Sequence, residues 1–226
     1  MFRVFARIIA DALVIATTLF VAAGTLAWQR AWILLAVLVV VRALSAIAIF
    51  RVNPALLAER ATVLIHRDQP WIDKLVLFAF MGTAFVAVPV IDSLDVFGWH
   101  VLPIPSVPVA SIGLLLFTFG WILIAIALRT NAFAATVVRL QHERQHTVVD
   151  SGIYGFIRHP MYAGNPLVNV GLSVWLGSYA AALFAVVPLA LLIVRIGLEE
   201  RFLRRELPGY HEYTTRVPYR LIPRLW

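Results

Sequence analysis

The chain has 226 residues, of which 62% are hydrophobic and only 14% charged, and its mean hydropathy is +0.88. A soluble domain is about 45–50% apolar and about a quarter charged, so a water-soluble class is excluded, and the absence of cysteine removes disulfides, thiolate metal sites and cysteine nucleophiles. The net charge of +7 comes almost wholly from arginine, but no basic helix with interleaved aromatics stands outside the apolar runs. This argues against a nucleic-acid partner and for arginines placed by membrane topology.

The apolar runs are close to 20 residues long, the length that spans about 30 Å of hydrocarbon. Span one is expected over 8–28, preceded by Arg3 and Arg7, and is longer than a signal-peptide core, so it reads as a retained helix. The dipeptide Gln29-Arg30 turns it tightly into span two over 31–50. Residues 51–74 are mixed in character, and the helical spacing of apolar residues within 54–65 predicts a segment lying along the interface. Span three follows over 72–91. Residues 92–108 hold two aspartates, three prolines and no lysine or arginine, the composition of a non-cytoplasmic loop. Span four covers 109–128, and the polar stretch 129–160 leads to spans five and six, over 161–176 and 179–196, joined by Gly177-Ser178. Span five is short and is interrupted by Gly164, Pro166 and Gly171.

The basic residues test this topology. Placing both termini, 51–74, 129–160 and 195–226 in the cytoplasm puts 17 of the 19 Lys and Arg there, leaving Arg30 outside and Arg42 within span two. The expected protein is all-α and multi-pass, with about six spans. Residues 1–130 form a four-span scaffold, and 131–226 form a second region with a cytoplasmic pocket. It would sit in a bacterial inner membrane or an endomembrane.

Polar groups inside a bilayer are expensive and tend to be paired or functional. Arg42 either snorkels or finds a partner, and Asp11 lies near the interface. A transporter would carry midplane polar groups in repeated halves, whereas here the polar residues gather at one membrane face. They include His146, Tyr154, Arg158, His159 and Tyr162 within residues 146–162, followed by the block 195–224. No phosphate-binding loop or dinucleotide fingerprint occurs. His142 and His146 are four apart but lack a third ligand, so no metal site is expected. Arg158-His159-Pro160 could simply open span five, since proline suits a first helical position. A helix N-terminus also offers free N–H groups to an anionic ligand. Arg195 and Glu199 share a helix face, either as an ordinary ion pair or as two groups turned into one pocket.

The stretches SGIYGFIRHPMYAG and EERFLRRELPGYHEYTTRVPYRLIP resemble the isoprenylcysteine carboxyl methyltransferase and phospholipid methyltransferase superfamily. The residues that carry the likeness are Gly152, Tyr154, Arg158, His159, Pro160, Tyr162 and Gly164. They are followed by Glu199, Glu200, Leu203, Tyr210, Tyr213, Arg216, Arg220 and Pro223. The resemblance covers about residues 137–223.

It implies a membrane-embedded enzyme that binds S-adenosyl-L-methionine in a non-Rossmann pocket reached from the cytoplasm. A lipid-like or prenylated acceptor would enter from the bilayer, among membrane lipids. Carried over by position, His146, Thr147, Val148, Val149, Tyr154, His159, Pro160, Met161, Tyr162 and Glu199 would line or hold the cofactor, and Arg195 would orient the substrate, acting with Glu199 at the catalytic centre. The family's glutamine upstream of His146 falls on Arg139 here, with Gln141 nearby. A carboxylate acceptor is a nucleophile already and could be fixed bidentately by an arginine. An ammonium headgroup must first lose a proton to a base such as Glu199, Glu200 or His146. The alternatives are phospholipid N-methylation, methylation of another small hydrophobic molecule, reduction with NADPH as in membrane sterol reductases, or a non-catalytic scaffold.

Overall fold

The computed structural model describes residues 1–62, 70–134, 136, 141 and 144–226, and among these every regular element is helical. Five helices are long and apolar enough to cross a membrane: Phe2–Ala23, Gln29–Phe50, Trp71–Trp99, Val107–Thr130 and Tyr179–Glu206. The protein is a multi-pass membrane protein. Its outer face is apolar where it meets lipid, as at Leu13, Val21, Leu115 and Phe119, all exposed. Its interior is filled by Leu19, Leu34, Leu38, Phe117 and Leu176.

Helices α1 (Phe2–Ala23) and α2 (Gln29–Phe50) form the expected hairpin. The short α3 (Pro54–Thr62) follows and packs on both of them through Leu56 and Leu57. The next span is one continuous rod. Helix α4 (Trp71–Gly82) passes through a π-helical turn at Thr83–Ala87 into α5 (Val88–Leu94), and a second π turn carries it to Trp99.

This corrects the reading of residues 92–108 as a loop from its first residue. Asp92 and Asp95 are helical and buried, accepting hydrogen bonds from Ser173 Oγ at 2.9 Å and Ser178 Oγ at 2.6 Å. Their polarity suggested solvent, but serines on the neighbouring segment donate to one oxygen of each inside the fold.

Helix α6 (Val107–Thr130) packs along α7 (Pro160–Leu176) over its whole length. The 17 residues of α7 reach only about 25 Å at 1.5 Å per residue, short of a hydrocarbon core. This is the expected span five, and α6 accompanies it throughout. The contact is made by two pairs of glycines, Gly113 with Gly171 and Gly120 with Gly164. A Cβ on Gly120 would stand 2.7 Å from the Gly164 carbonyl oxygen, and one on Gly164 would stand 2.6 Å from that of Gly120. Seven residues separate the glycines on each helix, which keeps both on one face, and small residues are what let membrane helices approach this closely. The glycines of span five are therefore packing surfaces.

Gly177 ends α7 at φ +115, a conformation a side chain would strain. Helix α8 (Tyr179–Phe184) and α9 (Val186–Glu206) then return across the membrane. The final helix α10 (Tyr210–Arg216) and the tail fold back, with Arg158 N donating to Tyr219 O and His159 N to Arg220 O, both at 2.9 Å.

Arg42 finds a partner inside the membrane. Its Nη1 lies 2.7 Å from Asp11 Oδ2, whose other oxygen takes Arg7 Nε at 2.8 Å, and its guanidinium rests 5.0 Å from the Trp121 ring centre.

Candidate functional site

The polar cluster assembles where α7 begins and α9 ends. Pro160 occupies the first turn of α7, where a missing N–H costs nothing, and this sets Arg158 and His159 just before the helix. The preceding residues form a 3₁₀ turn at Gly152–Gly155 that buries Tyr154. Between these segments and α9–α10 lies a cavity that is open in part to solvent. Its wall includes His146, Thr147, Val148, Val149, Tyr154, His159, Met161, Tyr162 and Glu199, and also Asn131, Phe133, Leu203, Leu207, Tyr210 and Tyr213.

Two successive glutamates divide the work. Glu199 faces the cavity and accepts a 2.6 Å hydrogen bond from Tyr162 Oη. Glu200, one residue on and 100° around the helix, points away and is buried at 4% exposure. Its Oε1 receives Arg158 Nε at 2.6 Å and lies 3.2 Å from His159 Nε2, while Oε2 receives Arg220 Nε at 3.0 Å. Arg158 also donates to Val217 O at 2.7 Å. A carboxylate taken out of water needs this many charged donors to remain ionised without a large penalty. The cluster ties the loop, α9 and the tail together, and so fixes the cavity wall. Arg158 is thus a buried strut.

Tyr162 organises the opposite side. Its ring stacks on His159 with centroids 5.6 Å apart and planes 9° from parallel, and the Arg195 guanidinium lies 5.7 Å from its centre. Arg195 does not reach the cavity wall directly. Its Nε donates to Asp73 Oδ1 at 3.2 Å and its Nη2 to Thr136 O, joining α9 to α4. Arg195 and Glu199 are on one face as expected, but they meet through Tyr162 and not as an ion pair.

Burial pushes the phenols of Tyr154, Tyr210 and Tyr213 above the ordinary tyrosine range, so they remain neutral donors. Tyr213 Oη donates to Tyr154 O at 2.8 Å, joining α10 to the 3₁₀ turn.

Of the remaining expected residues, Pro160 is buried at the helix start behind the wall. Gln141 is fully buried, donating to Phe133 O at 2.8 Å and accepting from Arg144 Nη1 at 2.7 Å. It shapes the wall indirectly, because Phe133 stacks on His146 with ring centres 4.4 Å apart. Arg139 and His142 lie outside the described residues. The Glu200 cluster and Asp73 escaped the sequence reading. Two adjacent glutamates look equivalent in sequence, and Asp73 opens α4, 122 residues from its partner.

The fold and site define a polytopic helical membrane protein with a deep pocket at one membrane face, walled by the RHP segment and the paired-glutamate helix. Residues 109–208 match the family model described as phospholipid methyltransferase. Among curated proteins, protein-S-isoprenylcysteine O-methyltransferase B of Arabidopsis thaliana is 34% identical over 113 residues, 49% of this chain and 57% of that protein. The cobalt-zinc-cadmium resistance protein CzcN of Cupriavidus metallidurans is 32% identical over 49% of this chain and 50% of its own length. The chain therefore spans between half and three-fifths of the length of these relatives. A solved structure of the eukaryotic intramembrane Ras methyltransferase, an isoprenylcysteine carboxyl methyltransferase, shares the fold with a TM-score of 0.55 at 22% identity, covering 94% of this chain and 73% of that one. Residues 109–208 thus resemble the phospholipid methyltransferases in sequence, and the chain shares its fold with the solved methyltransferase.

Proposed function

We propose that this protein is a membrane methyltransferase that uses S-adenosyl-L-methionine to methylate the carboxylate of a lipid-like, isoprenylcysteine-type acceptor. The observation that carries this reading is convergence. Residues 146–149, Tyr154, His159, Met161, Tyr162 and Glu199, separated by up to 53 positions in the chain, wall a single cavity.

The wall suits the cofactor. It offers apolar surface at Val148, Leu203 and Leu207 for a purine, neutral hydroxyls at the tyrosines, and one carboxylate, Glu199, for an ammonium or ribose hydroxyls. When bound, the cofactor supplies a methyl group on cationic sulfur, which leaves as a neutral thioether as the new C–O bond forms. A carboxylate acceptor brings its own electron pair, so the protein need only align the reactants and exclude water. Met161 and Tyr162 stand where the cavity meets the membrane helices. The Glu200 cluster ties the tail to the segments that wall the pocket. In this reading residues 131–226 are the catalytic region, the pocket opens to the cytoplasm, and residues 1–130 are scaffold with a path for acceptor from the bilayer.

N-methylation of a phospholipid headgroup is the second reading, favoured by the description of the matching family model. It would require Glu199 or His146 as a base.

Titration of the detergent-solubilised protein with S-adenosylhomocysteine, with NADPH in parallel, tests the class. Micromolar binding of the first alone is expected. Binding of NADPH alone would place the protein with membrane reductases, and binding of neither would leave a non-catalytic scaffold. Methyl transfer to N-acetyl-S-farnesylcysteine against phosphatidylethanolamine then separates the two acceptors.

A further inference from the structure

The interior of the arginine-rich face contains several guanidinium groups, and nearly all of them are committed. Arg158 and Arg220 bond to Glu200, Arg42 to Asp11, Arg144 to Gln141 and Glu59, and Arg195 to Asp73 and Thr136 O. Arg195 was expected to grip an acceptor carboxylate with both arms of its fork. With Nε and Nη2 engaged, only Nη1 is left without a hydrogen bond among the described residues.

Arg60, on α3, is different. Its one hydrogen bond among the described residues runs from Nη1 to Ala134 O at 2.7 Å, and Ala134 is part of the cavity wall. Its strongest electrostatic neighbours are Tyr162, Arg195, Tyr154 and Arg42, none of them a carboxylate. Burial lowers its pKa from 12.5 to about 10, yet the residue keeps accessible surface. Arg60 is half-buried and anchored to Ala134, so it stands against the cavity wall from the scaffold side. A buried cation without an anion is costly, and such groups are retained where a ligand completes them.

We infer that Arg60, with the spare Nη1 of Arg195, receives the carboxylate of the methyl acceptor on the scaffold side of Tyr162, opposite the cofactor. The inference rests on the proposed methyltransferase reading and adds to it the residue that selects an anionic acceptor. It also gives the N-terminal region a part in specificity, because α3 is contributed by the scaffold. Nε and Nη2 of Arg60 carry no hydrogen bond among the described residues, and two such donors match the two oxygens of a carboxylate.

The test uses the full-length protein with N-acetyl-S-farnesylcysteine and its neutral carboxamide as paired probes, in wild type, R60Q and R60K. The expected result is a rise of about ten- to a hundredfold in the R60Q KM for the acid, the range for a charge-assisted hydrogen bond. Carboxamide binding and S-adenosylhomocysteine affinity should stay within about twofold, and R60K should recover part of the loss. A parallel fall in S-adenosylhomocysteine affinity would instead assign Arg60 to the cofactor's own carboxylate and overturn the inference. An equal loss for acid and carboxamide would mark a structural role and overturn it too. Wild-type turnover of the acid with R60Q unchanged would remove this inference alone. A wild-type protein that neither binds S-adenosylhomocysteine nor methylates the acid would remove the parent reading with it.

Discussion

The two ends of α7 solve the same problem in different ways. At its N-terminus one buried carboxylate, Glu200, is surrounded by Arg158, His159 and Arg220. At its C-terminus two buried carboxyls, Asp92 and Asp95, are met by the hydroxyls of Ser173 and Ser178, and one oxygen of Asp92 has no hydrogen-bond partner among the described residues. The first end holds together three chain segments around the pocket. The second pins one helical rod against a tight helical turn. Charge pairing is used where several segments must be fixed at once, and neutral hydrogen bonds suffice where helix packing already sets the geometry.

Breaking the first end should cost most. Glu200→Ala leaves Arg158 buried without its counter-ion and is expected to destabilise the protein by about 3–5 kcal/mol. Thermal unfolding in detergent would read this, and a change below about 1 kcal/mol would deny the cluster its role. Glu199→Gln, one residue away, should leave the melting temperature nearly unchanged. It should weaken S-adenosylhomocysteine about ten- to a hundredfold by calorimetry, the worth of a hydrogen bond to a charged group. The contrast between adjacent glutamates is the sharpest check on the assignment of their roles.

Gly120→Ala should destabilise by about 1–3 kcal/mol, because the added methyl meets the Gly164 carbonyl oxygen and Val168 N, backbone atoms that cannot swing aside. At the second end, Asp92→Asn keeps the shape and an acceptor for Ser173, so a loss below about 1 kcal/mol is expected. An effect as large as that of Glu200→Ala would erase the distinction between the two ends.

Tyr213→Phe removes the bond to Tyr154 O and should cost about 1 kcal/mol at neutral pH. The folded-state pKa of Tyr213 is raised by burial, so its contribution is complete below its ordinary value of 10.0 and is lost as pH rises toward the folded value. Wild-type stability should therefore fall in alkali more steeply than that of the variant.

The sequence by itself determined that this is a helical membrane protein, roughly where its apolar helices lie, and which segments carry its motifs. Hydrophobic runs of bilayer length and the gathering of arginine are local properties that need no partner to be read. The RHP segment and the glutamate pair were legible as motifs for the same reason. Only the tertiary structure decided which glutamate faces the cavity and that Arg195 is spent on Asp73. It alone turned Asp92 and Asp95 inward and the glycines of α6 and α7 toward each other. These depend on contacts between residues up to 122 positions apart, and the environment of a polar group in a membrane is made by its neighbours. Arg60 is the clearest case: in sequence it is one more interfacial arginine, and in the fold it stands behind the pocket with donors to spare.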